Sequence, residues 1–333
     1  MTENWFPSTD DLEASGSSQE ELHARAFWAG RERFGSKVFV RGVVEVSNFC
    51  RENCHYCGMR RDNRQLERYR VDLNILADLL LHRRPEIMTD INIQAGEDPV
   101  AVREVVLPLV KLLRRETSLG VSVCVGTLAP DLTRELQAAG ATMYIIKFEL
   151  ADATRYAELE APGTFEERVN HIRWLAEQGW NVSSGFIAGL PGQDLGASLQ
   201  NLELASQLPL RGCSVSPFVS GEATPLAGAS GGELDLTLNC MAALRLMRPD
   251  WLIPAVSALN LAGGENGYRR GLRAGANLCT INLTPEAYRD NYLLYKRDRF
   301  LMSTRRVTEA LVAEGLTPTT TSLAEHFECA KAT

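Results

Sequence analysis

The apolar positions of the chain fall into two alternating kinds of run. Short runs rich in β-formers predict strands near residues 38–47, 88–95, 120–126, 142–149, 181–188, 211–219, 252–257 and 276–283. Helical patterns fill the gaps, near residues 72–83, 99–117, 130–139, 164–178, 194–207, 234–248, 265–274 and 286–296. Eight strand–helix pairs in about 250 residues predict a (β/α)8 barrel of the TIM type. A doubly wound open sheet is the alternative, because one sequence does not fix the strand count.

The two ends of the chain differ from this alternating region. Residues 1–17 are polar and rich in Ser and Gly, which predicts a flexible N-terminal arm. Residues 18–34 carry apolar side chains at helical spacing and predict a leading helix. We expect that helix and the barrel to form one domain over residues 18–300. A C-terminal helix, near residues 302–314, and a tail make up residues 301–333.

Composition narrows the class of protein. An apolar content of 45% in 333 residues is typical of a globular protein with a sizeable core. A net charge of −7 argues against nucleic acid as a partner. No run approaches the ~20 apolar residues of a membrane span, and no apolar signal stretch is found at the N-terminus. We therefore expect a cytoplasmic protein without a membrane partner.

The strongest chemical motif follows the first predicted strand. Cys50, Cys54 and Cys57 form a Cys-x-x-x-Cys-x-x-Cys pattern. Three thiolates this close can bind one small metal cluster, but a 4Fe–4S cube that only carries electrons takes four cysteines. A cube held by three leaves one iron open to a substrate or cofactor, and we expect the chemistry at that iron.

Two simpler interpretations of the motif compete with an iron–sulfur cluster. A structural zinc site normally has four ligands, and the nearby His55 lies inside the loop, poorly placed to complete a tetrahedron. A disulfide with one spare thiol suits an oxidising compartment, which is not expected for this chain. The open cluster is therefore the favoured hypothesis.

The motif also carries a resemblance. With the aromatic Tyr56 before its last cysteine, it resembles the signature of the radical S-adenosylmethionine (SAM) superfamily. The resemblance implies a 4Fe–4S cluster held by the three cysteines, with SAM chelating the open iron. One electron from the reduced cluster would then cleave SAM and release a 5′-deoxyadenosyl radical. It further implies a small-molecule substrate and a reducing protein such as flavodoxin or ferredoxin.

Residues after the second predicted strand resemble the superfamily's Gly-Glu element, whose acceptors take the ammonium of SAM. Here the element is Gly96 and Glu97, followed by Asp98. Glycine allows close approach of the backbone, and a carboxylate accepts hydrogen bonds from a cation. The alternative is an ordinary strand-to-helix turn with a solvated acid.

Other SAM contacts are implied by the same resemblance. Glu149 and Arg168 are similar to the acid and base that bracket the ribose and the SAM carboxylate. Ile187, Gly189 and Leu190 lie in a stretch that resembles the adenine-binding element after strand five. The alternatives are an exposed helix start at residues 166–168 and a simple Gly/Pro turn after the strand.

Candidate substrate contacts lie at the ends of strands two and three. They are Gln94, Cys124 and Thr127, which a barrel would bring to its functional rim. Cys124 could instead be a core residue, because buried cysteine behaves as a small apolar side chain. That apolar interpretation is the one we expect for Cys213, Cys240 and Cys279.

Roughly residues 35–300 resemble one branch of the superfamily, which contains the iron–iron hydrogenase maturase, 3-methylornithine synthase and biotin synthase. The stretches that carry this resemblance include residues 45–48, 58–63, 68–70, 96–99, 189–193 and 275–277. It implies radical chemistry on a small molecule in cofactor or metallocofactor biosynthesis, most like the maturase. The alternatives are a mutase like 3-methylornithine synthase, a sulfur-inserting enzyme like biotin or lipoyl synthase, and a non-catalytic iron–sulfur carrier.

Two departures limit the comparison with that branch. Biotin synthase holds a sacrificial 2Fe–2S cluster on barrel cysteines, and this chain has Gln94 and Ser183 or Ser184 at the matching places. Sulfur insertion of that kind is therefore disfavoured. Residues 147–149 read Lys-Phe-Glu, which differs from the His-Glu-Thr of the maturase and leaves the substrate open.

Overall fold

The computed structural model describes residues 5–297 and 300–332. Its strands are β1 (Lys37–Ser47), β2 (Asp90–Ala95), β3 (Gly120–Cys124), β4 (Met143–Ile145), β5 (Asn181–Ala188), β6 (Gly212–Pro217), β7 (Leu278–Asn282) and β8 (Thr317–Pro318). The first seven form a parallel sheet in the order β6-β5-β4-β3-β2-β1-β7. They are buried almost throughout, as expected for parallel strands covered on both faces.

Residues 252–254 join the two ends of this sheet. Leu252 forms a parallel bridge with Gly212 of β6, and Pro254 forms one with Leu278 of β7. The stretch is not a regular strand, and Pro254 contributes to this because proline has no N–H to donate to a ladder. The predicted TIM-type barrel is therefore confirmed, with its seventh predicted strand reduced to two bridges.

Helices surround the barrel and cover its lower end. They are α1 (Thr9–Glu13), α2 (Gly16–Phe34), α3 (Leu73–His82), α4 (Pro99–Ala101), α5 (Leu107–Glu116), α6 (Pro130–Ala138), α7 (Ala153–Glu158), α8 (Phe165–Glu177), α9 (Leu195–Gln207), α10 (Leu234–Met247), α11 (Ala258–Gly263), α12 (Gly267–Arg273), α13 (Glu286–Arg289), α14 (Thr304–Ala313) and α15 (Leu323–Ala332). A π-helical segment, Val102–Val106, joins α4 to α5. Helix α13 is much shorter than the pattern over residues 286–296 predicts.

The N-terminal region differs from the expected flexible arm in residues 5–17, while residues 1–4 lie outside the described part. Ser8 caps α1 through a capping box with Asp11, which gives this polar stretch a local reason to be helical. Leu12 is buried, and Asn239 of α10 donates hydrogen bonds to the carbonyls of Leu12 (3.0 Å) and Ala14 (2.9 Å). These tertiary contacts hold the segment against the barrel.

The C-terminal region contains more structure than one helix and a tail. Helix α14 corresponds to the predicted helix near residues 302–314, β8 then pairs with the start of β1, and α15 packs under the barrel. Leu323 and Phe327 of α15 belong to a buried apolar cluster with Phe39, Met143, Leu252 and Leu278. This cluster forms the barrel floor, so the far end of the barrel is free for a binding site. The domain boundaries themselves remain a prediction.

No helix in the described ranges is both long and apolar enough to cross a lipid bilayer.

Replacement of Phe327 tests the barrel floor. Phe327 is only 5% exposed, so Phe327→Ala leaves a cavity and should lower the free energy of unfolding by about 3 kcal/mol. Val312→Ala on α14 is the control, because Val312 is 72% exposed and should change the stability by about 0.5 kcal/mol or less. Urea unfolding followed by circular dichroism measures both. Equal urea midpoints would show that α15 does not stabilise the barrel.

Candidate active site

A cavity of about 360 Å³ lies inside the barrel and opens at the rim formed by the carboxyl ends of the strands. Eleven of the fifteen residues proposed for the site from the sequence line it. They are Cys50, Cys54, Tyr56, Cys57, Gln94, Gly96, Glu97, Cys124, Glu149, Arg168 and Ile187. Residues from six different segments thus meet in one space.

Asp98 and Thr127 lie outside this lining. The Asp98 carboxylate accepts hydrogen bonds from Arg70 Nε (2.7 Å), Arg70 Nη2 (3.0 Å) and Ser47 Oγ (2.7 Å). The Asp98 side chain is thus hydrogen-bonded to the end of β1 and to the segment after the cysteine loop. Thr127 contributes its carbonyl, which accepts from Arg51 Nη2 at 2.8 Å. Both residues brace the neighbourhood of the cavity.

Gly189 and Leu190 form part of the wall behind the cavity. Gly189 has a φ of +74°, and a Cβ there would lie 2.7 Å from Gly232 Cα, so the close approach requires glycine. Leu190 is 2% exposed and packs in a small apolar cluster that includes Tyr56 and Ile187. Gly189 and Leu190 therefore support neighbouring residues that line the cavity.

Gly96 allows the cysteine loop to approach the end of β2. A Cβ on Gly96 would lie 2.2 Å from the carbonyl oxygen of Phe49, so only glycine permits this approach. The backbone N–H of Glu97 then donates to Cys50 Sγ at 3.4 Å, and Arg51 N–H donates to the Glu97 carbonyl at 3.2 Å. The first cysteine is thereby anchored to the second strand.

Burial raises the pKa of all three thiols of the loop, that of Cys57 to about 12. The pKa of Cys54 is raised further by the charges of Cys57 and Cys50, which places the three sulfurs in one electrostatic neighbourhood. Binding of a metal requires the thiolates, so a cluster must displace their protons.

The donor set suits an iron–sulfur cluster. Cys50, Cys54 and Cys57 offer three soft sulfur ligands in the lining of the cavity, and thiolates are the ligands that such clusters take. Within the described ranges, no group of three His, Cys, Asp or Glu side chains is placed to hold a single metal ion.

Glu97 is the centre of a buried charge network. Its Oε1 accepts from Arg168 Nη2 at 2.8 Å, and its Oε2 accepts from Arg51 Nη2 at 3.1 Å. Burial lowers the pKa of Arg168, but the charges of Glu97 and Tyr156 and the hydrogen bonds to them together raise it, so the guanidinium stays charged. A capping box between Thr164 and Glu167 starts helix α8 and brings Arg168 into its first turn.

Arg168 keeps one donor that the surrounding protein does not use. Its Nε is buried, and no hydrogen-bond partner for it exists among the described residues. The buried hydroxyl of Tyr56 differs, because it interacts with the Cys54 thiol and opposes the rise of that thiol's pKa. Buried polar groups are normally satisfied, so the unpartnered Arg168 Nε in the cavity wall indicates a place for ligand atoms.

Glu149 adopts a backbone conformation unusual for its type. Its φ is +65°, in the left-handed region that favours glycine. Backbone strain of this kind clusters at functional sites. The hydrogen bonds Glu149 N–H to Gly185 O (3.1 Å) and Ile187 N–H to Glu149 O (2.9 Å) hold it in register with β5. Burial raises the pKa of its carboxyl group, whereas Lys147 and Arg168 lower it.

Polar and charged side chains of the strands also line the cavity. Gln94 and Cys124 are register partners on β2 and β3. Burial raises the pKa of the Cys124 thiol to about 11, and the cations Lys147 and Arg41 oppose that rise. Lys147 Nζ donates to Ser216 Oγ (3.0 Å) and Arg41 Nε donates to Thr280 Oγ1 (3.1 Å). The remaining cysteines expected in the core, Cys213, Cys240 and Cys279, are fully buried away from this lining.

The charged residues Arg41, Glu52 and Lys147 also line the cavity. Arg41 and Lys147 lie in predicted strands, where a charged side chain among apolar neighbours is the signal that marks a cavity position. Glu52 lies inside the cysteine motif, but its interaction with Glu97 depends on the approach of β2. Local sequence does not encode that approach.

Comparison with known proteins agrees with this geometry. The family model described as the radical SAM superfamily matches residues 44–204. The FeFe hydrogenase maturase subunit HydE of Thermotoga maritima is 32% identical over 80% of this chain and 76% of its own length. The 3-methylornithine synthase of Methanosarcina acetivorans is 28% identical over 90% of this chain and 86% of its own length.

A solved structure extends the likeness to nearly the whole fold. The crystal structure of methylornithine synthase matches with a TM-score of 0.84 and 25% identity, covering 98% of this chain and 97% of its own. Biotin synthases are also among the matching relatives. The predicted branch is therefore confirmed, and with it a 4Fe–4S cluster and SAM as the cofactors. The chain belongs to the radical SAM superfamily and is a radical SAM enzyme.

Proposed function

We propose that this enzyme uses SAM cleavage to modify a small polar molecule inside the barrel, in the biosynthesis of a cofactor or metallocofactor. The observation that carries the proposal is that one cavity is lined both by the three thiols and by the polar side chains of Gln94, Lys147 and Arg41. When bound, the cluster and SAM supply an electron and a carbon radical. The protein supplies the orientation of the reactants and the exclusion of water.

Cys50, Cys54 and Cys57 are the proposed cluster ligands. Their support is the donor set and the shared electrostatic neighbourhood of their sulfurs. The Glu97 N–H directed at Cys50 Sγ would stabilise the thiolate, since a hydrogen bond to the charged form favours it. The reducing equivalents would come from a protein such as flavodoxin or ferredoxin.

SAM is assigned to the wall between the cysteine loop and α8. Arg168 is suited to the SAM carboxylate, because its Nε is an unused buried donor beside the cavity. Glu149 is suited to a ribose hydroxyl, and the apolar side chain of Ile187 to the adenine. Glu97 acts through Arg168, since both of its oxygens already accept from arginines. Asp98, Gly189 and Leu190 would support these groups from behind.

The substrate is assigned to the part of the cavity that Gln94, Cys124, Lys147 and Arg41 line. Amide, thiol and cationic groups together suit a small polar ligand with negative charge. Thr127 does not line the cavity and is not part of this assignment. A function like that of the hydrogenase maturase is the preferred candidate, because the maturase HydE is 32% identical to this chain over most of both chains.

A second candidate is a mutase like 3-methylornithine synthase. It is favoured by the TM-score of 0.84 over nearly the full length of both chains. Sulfur insertion of the biotin-synthase kind is less favoured. Apart from the triplet, Cys124 is the one cysteine of the described chain that lines the cavity, too few to hold a second cluster on cysteines.

Cys54→Ala tests the cluster assignment. The variant should lose the iron–sulfur absorbance after anaerobic reconstitution and should form no 5′-deoxyadenosine from SAM with dithionite, because two thiolates do not hold the cube. Cys240→Ala is the control, since Cys240 is a buried thiol of α10 away from the cavity. Retention of a full cluster in Cys54→Ala would disprove the ligand assignment.

Glu97→Gln tests the SAM site separately from the cluster. Loss of the charge partner should misplace Arg168 and weaken SAM binding about 10- to 100-fold, while the iron content stays unchanged. Anaerobic calorimetry of SAM binding to the reconstituted protein measures the dissociation constant. Glu135→Gln, which breaks an exposed ion pair with Arg103, is the matched control. Equal dissociation constants in the two variants would remove Glu97 and its pair from the SAM site.

Complementation distinguishes the two candidate functions. In cells that make an FeFe hydrogenase but lack HydE, the chain should restore hydrogenase activity, and Cys54→Ala should not. Mass spectrometry of the same cells should show no 3-methylornithine. Formation of 3-methylornithine without hydrogenase activity would establish the mutase instead.

A further inference from the structure

Arg68 holds together the two ends of the cysteine loop. Its guanidinium is half-buried and donates to four backbone carbonyls that flank the three cysteines. The acceptors are the carbonyl oxygens of Asn48 (2.5 Å), Met59 (2.8 Å), Arg60 (2.7 Å) and Asn63 (3.4 Å). One side chain therefore connects the strand that enters the motif with the turn that leaves it.

The charge of Arg68 is not neutralised by a carboxylate. All its hydrogen bonds in the described structure go to neutral carbonyl groups, and it takes part in none of the salt bridges of that structure. The neighbouring arginines differ: Arg70 is paired with Asp98 at 2.7 Å, and Arg61 with Asp62 at 3.2 Å. Arg68 is thus a fixed, uncompensated cation beside the loop.

Two of the thiols lie within electrostatic reach of this cation. Arg68 Nη1 donates to the carbonyl of Asn48, two residues before Cys50, and to the carbonyl of Met59, two residues after Cys57. The electrostatic effect agrees with this placement: burial lowers the pKa of Arg68, whereas the charges of Cys50 and Cys57 raise it.

A fixed cation in this place has a consequence for electron transfer. A cluster becomes more negative by one charge on reduction, so a nearby positive charge stabilises the reduced form. Net charge, hydrogen bonds and solvent exposure are the factors by which a protein sets the potential of such a cluster. Partial burial preserves the effect, because salt and water screen buried charges less than exposed ones.

We propose that Arg68 is a positioning residue that raises the reduction potential of the cluster by fixing a positive charge against the cysteine loop. The inference rests on the proposed ligation by the three cysteines. The same side chain thereby does two things: it shapes the loop through the carbonyls and it makes the first electron easier to accept. No contact of Arg68 with SAM or substrate is required.

Redox titration distinguishes the effect of the Arg68 charge on the cluster from the effect of its hydrogen bonds on the loop. The reconstituted proteins are reduced stepwise, and electron paramagnetic resonance of the reduced cluster gives the midpoint potential of the loaded fraction. Arg68→Gln should make reduction about tenfold less favourable, a potential about 59 mV lower for one electron. Arg68→Lys keeps the charge and should stay within about twofold of the wild type. Arg64→Gln, which removes an exposed charge from the same segment, should do the same.

Each result decides the question. Equal potentials in Arg68→Gln and Arg64→Gln overturn the proposal. If Arg68→Gln folds by circular dichroism but takes up no cluster while Arg68→Lys does, the charge acts in cluster assembly rather than on the potential, and the proposal is overturned. If neither Arg68→Gln nor Arg68→Lys takes up a cluster, Arg68 only stabilises the loop structure and the proposal about the reduction potential is overturned. A wild type that holds no SAM-cleaving cluster refutes the proposed function itself, which is a separate outcome.

Discussion

The parallel closure of the barrel is the constraint on which the site depends. Because all strands of the ring run in one direction, their carboxyl ends and the loops after them meet at a single rim. The cysteine loop follows β1, Glu97 follows β2 and Glu149 follows β4. These groups are far apart in sequence and have no local reason to associate. Apolar side chains packed against α15 close the other end, so the cavity opens at the rim that carries the loops.

Charge inside this cavity is tolerated because it is largely compensated. Glu97 is shared between two arginines, and removing charges from water is costly unless they are paired and hydrogen-bonded. Two glycines make room for it. A Cβ on Gly96 would strike the Phe49 carbonyl, and one on Gly126, whose φ is +73°, would lie 2.1 Å from Glu97 Cγ. The network and the cysteine loop therefore form one packed unit, in which a ligand meets donors that are already oriented.

Much of this was predictable from the sequence, for identifiable reasons. Strand positions follow from apolar runs between Gly and Pro, and the cysteine triplet is a local motif, so both could be read directly. Glu97 lines the cavity whereas its neighbour Asp98 does not, because Arg70 holds the Asp98 carboxylate, and the sequence does not separate the two carboxylates. Helix α1 and the function of Arg68 depend on contacts with distant backbone, such as the carbonyl of Asn48. Residue type alone does not reveal such contacts.

Radical chemistry in this enzyme requires that one iron of a three-cysteine cluster is open and accepts SAM. Electron–nuclear double resonance on the reduced, anaerobically reconstituted protein tests it, with SAM labelled at its amino nitrogen and carboxylate oxygens. The account predicts strong couplings from both labels to the cluster, and their loss with unlabelled SAM. A cluster whose four irons all carry protein ligands, with no coupling to either label, would contradict it.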